Sequence, residues 1–160
     1  MLKGNERIIE EIKVIKFKLK NEEYGVDVKQ VKSIERMEHI TRVPNTPPFV
    51  KGVINLRGVV IPIIDLRKRL GFELKDYNEQ TRIIIVNVEE MEVGLIVDAA
   101  NDVLDIPLSS IAPPPKVIGG IDSEYLSGVA KINDSLLVLL NLNKVLDPNE
   151  VKELEKFGIE

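Results

Sequence analysis

The sequence predicts a mainly β protein made of two small barrels packed side by side, and three observations predict it. Apolar and polar residues alternate in short runs, the period-two signature of strands with one buried face. The runs come in pairs across tight turn signals, so they read as hairpins. A late stretch of the chain repeats an earlier one without a gap, so the hairpins belong to two like units.

Residues 12–20 place Ile15, Phe17 and Leu19 on one face and Lys16, Lys18 and Lys20 on the other, a half-buried strand. Asn21-Glu22-Glu23 turns the chain into residues 24–28, the returning arm of a first hairpin. Residues 50–56 and 59–64 make a second hairpin about Arg57-Gly58, a turn where glycine accepts positive φ without strain. Pro62 has no N–H to donate to a ladder, which places it at a sheet edge or a bulge. Asp65 then caps a short helix over 66–70 that Gly71 stops. Residues 81–88 and 93–97 form a third hairpin around 89–92, and 126–132 with 135–140 a fourth around Asn133-Asp134. Asn141 caps a second short helix over 142–146. Asp147 as cap, Pro148 at the first helical position and Glu150 as capping-box partner predict a C-terminal helix over 148–157, with Val151, Leu154 and Phe157 as its apolar stripe.

The repeat groups these elements. Residues 52–70 overlay 128–146 at a constant offset of 76, matching Gly52 with Gly128, Val53 with Val129, Leu66 with Leu142, Lys68 with Lys144 and Leu70 with Leu146. At an offset of 69, residues 14–28 overlay 83–97 and keep Gly25 on Gly94. The chain therefore reads as two units of roughly 70 residues, each a hairpin, an irregular connector, a second hairpin and a short helix. About five strands from so short a unit bury themselves most economically by curling into a barrel. The expected organisation is a single domain over 1–160. A first barrel covers about 12–75 with parts of the termini, a second covers about 80–146, and the C-terminal helix packs on them. The junction between the barrels is a natural groove.

Composition narrows the function. The 160 residues contain no cysteine and one histidine, His39, which removes thiol chemistry and leaves no imidazole pair for a metal. Glu89, Glu90 and Glu92 read as a solvated hairpin tip. Asp98, Asp102 and Asp105 lack the glycine and terminal bidentate glutamate of a calcium loop and read as a surface connector. Gly119-Gly120 lacks the further glycine of a dinucleotide fingerprint. The expectation is a non-enzymatic protein with no cofactor and no metal. A net charge of −4 and seven dispersed aromatics argue against nucleic acid, which needs clustered cations and stacking platforms. The average hides a split: residues 1–80 hold 16 Lys+Arg against 12 Asp+Glu, whereas 81–160 hold 6 against 14, so the two halves suit partners of opposite charge. No apolar run approaches the roughly 20 residues of a membrane span, and the N-terminus lacks the apolar core of a signal peptide, so a cytoplasmic location is expected.

Surface is what remains. Pro44, Pro47 and Pro48 stiffen one connector, and 112–118, with its three consecutive prolines, stiffens the equivalent region of the second unit. Such segments lose little entropy on binding. Val28, Val31 and Ile34 recur at three-residue spacing after the first hairpin, as do Val97, Ala100 and Val103 after the third. Those near the junction are candidates to line a groove for a helix.

The residues also carry a resemblance. The stretches 23–28, 42–47, 51–58 (Lys-Gly-Val-Ile-Asn-Leu-Arg-Gly) and 61–67, followed by 94–98, 102–104 and 125–128, resemble the CheW-like family of bacterial chemotaxis coupling proteins over about residues 12–146. The resemblance implies two SH3-like five-stranded barrels around a shared core, and no catalysis. It implies a cytoplasmic adaptor, recruited to receptor arrays at the inner membrane, that joins the cytoplasmic tip of a chemoreceptor to the regulatory domain of the chemotaxis histidine kinase. Such an adaptor neither inserts into the membrane nor binds nucleic acid, and is expected to be a monomer when free. Val31 and Val103 match the family's receptor-groove positions, with Ile34 and Glu35 beside them as further groove candidates; Arg57 matches the arginine of its Asn-Leu-Arg-Gly turn. Val117, with Ile118, matches an apolar position of the interface that assembles kinase and adaptor rings. Ser33 departs from the acidic residue often found there to pair that arginine, and Glu35, on the same face of an extended segment, is the candidate substitute. Two other readings are a regulatory-domain fragment of the kinase or of a receiver-linked coupling protein, and a two-barrel nucleic-acid module.

Overall fold

The computed structural model describes residues 10–118, 121–146, 149, 150 and 152, with the backbone alone for Asn101, Val117, Ile118 and 121–123. Strands dominate. In chain order they are β1 (Glu11–Leu19), β2 (Glu22–Asp27), β3 (Val31–Arg36), β4 (Val50–Leu56), β5 (Val59–Asp65), β6 (Arg82–Val88), β7 (Met91–Val97), β8 (Ala99–Pro107), β9 (Ile111–Ala112), β10 (Val117–Ile118), β11 (Ile121–Asp122), β12 (Leu126–Ile132) and β13 (Ser135–Leu140). Helix α1 (Leu66–Arg69) follows β5 and α2 (Leu142–Val145) follows β13. Their caps are those expected: Asp65 accepts from the Arg67 N–H and Asn141 from the Asn143 N–H. Of the helix expected over 148–157, Asn149, Glu150 and Lys152 are described and are helical; the rest lies outside the described residues.

One barrel has the strand order β3-β6-β7-β5-β4, and the other β8-β1-β2-β13-β12-β9. These are two SH3-like barrels around a shared core, and the second carries the short β9 as a sixth strand. The pairing does not follow the expected division at residues 75–80. The hairpin β6–β7 of the second half sits between β3 and β5 of the first, while β1–β2 sits between β8 and β13. Each barrel therefore takes its central hairpin from the other half. The parallel contacts that seal the exchange, β5 with β7 (Ile63 opposite Gly94) and β13 with β2 (Leu139 opposite Gly25), are equivalent under the repeat. A Cβ on Gly94 would stand 2.4 Å from Ile63 Cδ1 and 2.8 Å from Ile83 Cγ2, so the side-chain-free position lets neighbouring isoleucines fill the barrel axis.

The core has three parts. Ile54, Leu56, Ile61, Ile63, Ile83, Ile85 and Ile96 fill the first barrel, and Val14, Ile106, Ala130, Leu137 and Leu139 the second. The largest cluster lies where the outer faces of the barrels meet, around Phe17, Tyr24, Ile64, Ile84, Val86, Leu95 and Leu140. β1 keeps the expected alternation, with Ile15, Phe17 and Leu19 buried and Lys18 exposed, but its lysine face is covered at Val14, which is fully buried, and Lys16 is held between Glu23 at 3.2 Å and Asp102 at 3.5 Å. Pro62 lies in β5 just before its parallel pairing with β7 begins at Ile63, where the missing N–H breaks no ladder.

Candidate functional site

The segments that carry three-residue spacing after the first and third hairpins are strands, β3 and β8. A register shift between Val31 and Ser33 interrupts the pairing of β3 with β6, so Val31 stands opposite Val86 and Ile34 opposite Ile84. Val86 and Ile84 both face the shared core. The bulge thus puts residues three apart on one face, which a regular strand cannot do. A shift between Lys16 and Phe17 does the same for β8: Ala100 stands opposite Phe17 and Val103 opposite Ile15. At the repeat offset of 69, Val31 corresponds to Ala100 and Ile34 to Val103. Val31 and Ala100 pack, partly buried, against the shared core, while Ile34 and Val103 remain 38% and 56% exposed. Both strands are edges of their sheets. Two like ledges, each with a buried foot and an exposed apolar head, are what a helix with an apolar stripe can dock on.

On the opposite face of β3, Ser33 and Glu35 stand across from Ile85 and Ile83. Arg57, at φ 52° in the β4–β5 turn, donates from Nη2 to Glu35 Oε2 at 3.3 Å. The carboxylate is shielded and the guanidinium 71% exposed, so the pair orients Arg57 more than it stabilises the fold. Ser33 does not reach the arginine; its buried hydroxyl finds no hydrogen-bond partner among the described residues.

The acidic residues Asp98, Asp102 and Asp105 are each paired with a cation of the chain. Asp98, at the passage from β7 to β8, accepts from Arg67 Nε at 2.8 Å, from Arg67 Nη2 at 2.6 Å and from the Lys20 N–H at 2.9 Å. Burial pushes its carboxyl up, yet the Arg67 fork and the Lys20 N–H outweigh it and hold Asp98 below the usual carboxylate range. Asp105 pairs with Lys13, and Lys32 with Glu92. Among the described residues no group of three acids or histidines is placed to hold a metal. His39 is exposed.

The CheW-like domain family model matches residues 13–150. The chain is 40% identical over 135 residues to the chemotaxis protein CheW of Klebsiella aerogenes, spanning 84% of this chain and 81% of that one. It is 44% identical to CheW of Bacillus subtilis over 84% and 86% of the two chains. This chain belongs to the CheW-like family. Its fold agrees: the crystal structure of the scaffolding protein TtCheW from Thermoanaerobacter tengcongensis superposes with a TM-score of 0.81 at 39% identity, covering 88% of this chain and 96% of that one. CheW-like proteins are scaffolds and adaptors, not enzymes. Among the described residues no helix is long and apolar enough to cross a membrane.

Within this CheW-like domain the structure brings Val31, Ile34 and Val103 to shared-core faces and joins Glu35 to Arg57. Val117 and Ile118 stand apart in β10, paired with β11; their side chains lie outside the description. Ala100, the middle member of the second triplet, is the counterpart of Val31 at the offset of 69. One feature escaped the sequence. It is Arg69, whose guanidinium stacks on Phe49 at 4.9 Å and Tyr125 at 5.6 Å, donates to the Val145 carbonyl at 2.7 Å and pairs with Glu150. Phe49 and Tyr125 are equivalent at the offset of 76, so one cation ties the two units together. No local pattern signals that, because the partners come from opposite ends of the chain.

Proposed function

We infer that the chain is a non-enzymatic cytoplasmic adaptor that couples chemoreceptors to the chemotaxis histidine kinase at membrane-associated receptor arrays. The observation that carries this reading is the pair of bulged edge strands, which hold Val31, Ile34 and Val103 toward one shared core. That arrangement suits the helical tip of a receptor. Glu35, on the same strand, and its partner Arg57 border that groove as the coupling pair, while Val117 and Ile118 of β10 suit contacts with the kinase regulatory domain or with neighbouring adaptors in a ring. Signal then passes as geometry, since nothing in the site performs chemistry.

The test is co-precipitation of the purified chain with a receptor cytoplasmic fragment and the kinase regulatory domain, separately and together. Simultaneous binding of both is expected. Val31→Asp, which places an unpaired charge under a docked helix, should weaken receptor binding by about tenfold or more while kinase binding persists. Unchanged receptor affinity in the folded variant would remove the groove from the reading.

A further inference from the structure

The first unit carries a basic cavity that the second does not reproduce. It opens between the connector preceding β4 and helix α1, has a volume of about 230 Å³, and is lined by Arg42, Pro48, Phe49, Lys51, Lys68 and Leu74, with Asp65 behind them. A cleft of about 450 Å³ shares Arg42, Pro48 and Val50 and continues along the proline turn at 44–48. The single charge of the buried Asp65 offsets only one of these three cations. One of its oxygens accepts from the Arg67 N–H at 3.0 Å and the other from the Tyr77 hydroxyl at 2.8 Å. Among the described residues no carboxylate pairs with Arg42, Lys51 or Lys68, all of them exposed; the Lys51 ammonium lies 5.6 Å from the Tyr77 ring centre. An apolar strip adjoins the charges, with Leu74 54% exposed beside the half-buried Phe49. At the offset of 76 the second unit has Ser127 for Lys51 and Asn141 for Asp65, so the cavity is a property of one unit and not of the repeat.

We propose that this cavity docks an acidic, leucine-bearing peptide segment of a protein partner, independently of the shared-core groove. Its volume is below the roughly 300–1,000 Å³ of small-molecule sites, and Phe49 and Leu74 give it an apolar edge against which an aliphatic side chain can lie. The open cleft beside it gives an extended chain somewhere to run. Three unpaired cations around it provide the charge complementarity that selects carboxylates and rejects basic segments. A nucleic acid would need free aromatic faces, and Phe49 is already stacked under Arg69.

The test is fluorescence anisotropy of a labelled Glu-Glu-Leu-Glu-Glu peptide titrated with the full chain, beside the Lys-Lys-Leu-Lys-Lys peptide and single-stranded oligothymidylate. The acidic peptide should bind and the basic one should not, with affinity falling as salt shortens the screening length. Lys51→Glu combined with Lys68→Glu should weaken it about tenfold or more, and Leu74→Ser by less, while receptor-fragment binding stays unchanged. Should charge reversal impair folding, Lys51→Gln with Lys68→Gln removes the same cations at exposed positions. Absence of binding at low salt, equal affinity in a folded charge variant, or tighter binding of the oligothymidylate than of the peptide would each overturn the proposal.

Discussion

Ser33 shows what a single position costs. A buried hydroxyl without a partner loses its hydration and gains nothing in return, so Ser33→Ala should raise stability by about 1 kcal/mol, read as a higher denaturant midpoint with an unchanged slope. Asp98 is the opposite case, a carboxylate that accepts three hydrogen bonds, two of them from a guanidinium. Its carboxyl sits below the unfolded value near about 3.9, so the folded state binds fewer protons than the unfolded one in that window. The stabilisation is fully present above the unfolded value and is lost as pH falls through the folded one. The native protein should therefore lose more stability than Asp98→Asn between about pH 5 and pH 2, as measured by thermal unfolding across that range. Tyr77 adds to the same end of the barrel: burial first, and then the hydrogen bond to Asp65, push its phenol well above its ordinary value, so it remains a donor throughout. At this scale the sequence was legible where a local rule applied. The Asp65 and Asn141 caps and the turn at Gly58 follow from near neighbours, whereas an acidic partner for Arg57 was implied only by the family resemblance, with Glu35 as its candidate. The Arg67–Asp98 fork could not be read, because its partners are joined only through the folded β5–β7 contact.

The hairpins were legible as elements because each has a period of two and a turn signal. Strands β3 and β8 were not, since a bulge in each ladder converts the period to three, which in isolation imitates a helix face. The same distortion recurs at β4 and β12, where register shifts fall between Val50 and Gly52 and between Leu126 and Gly128. These sites are equivalent under the repeat. Gly52 is indispensable there because a Cβ would stand 2.3 Å from the Thr41 carbonyl oxygen, which bridges to Val53. Gly94 holds the corresponding place in the barrel axis. Gly94→Ala should destabilise by about 1–3 kcal/mol through overpacking against Ile63 and Ile83, seen as a lowered urea midpoint.

For the whole molecule, the repeat revealed two barrels but not which strands each one holds. Alternation says that a strand is half-buried and is silent on its neighbour, so the division at 75–80 followed chain order while the sheets exchanged hairpins. The exchange makes the halves mutually dependent. Separate peptides covering 1–78 and 79–160 should each lack regular structure, and an equimolar mixture should recover the β-sheet circular dichroism of the intact chain. Structure in either peptide alone would show that the exchange is not required. A temporal order also follows. The first barrel's strands are all contained in residues 31–97, whereas β2 meets its parallel neighbour only when residues 137–139 have been made. On the ribosome the β1–β2 hairpin, made before the other described strands, waits longest for its sheet, and its open edge is exposed to aggregation or chaperone capture throughout that interval.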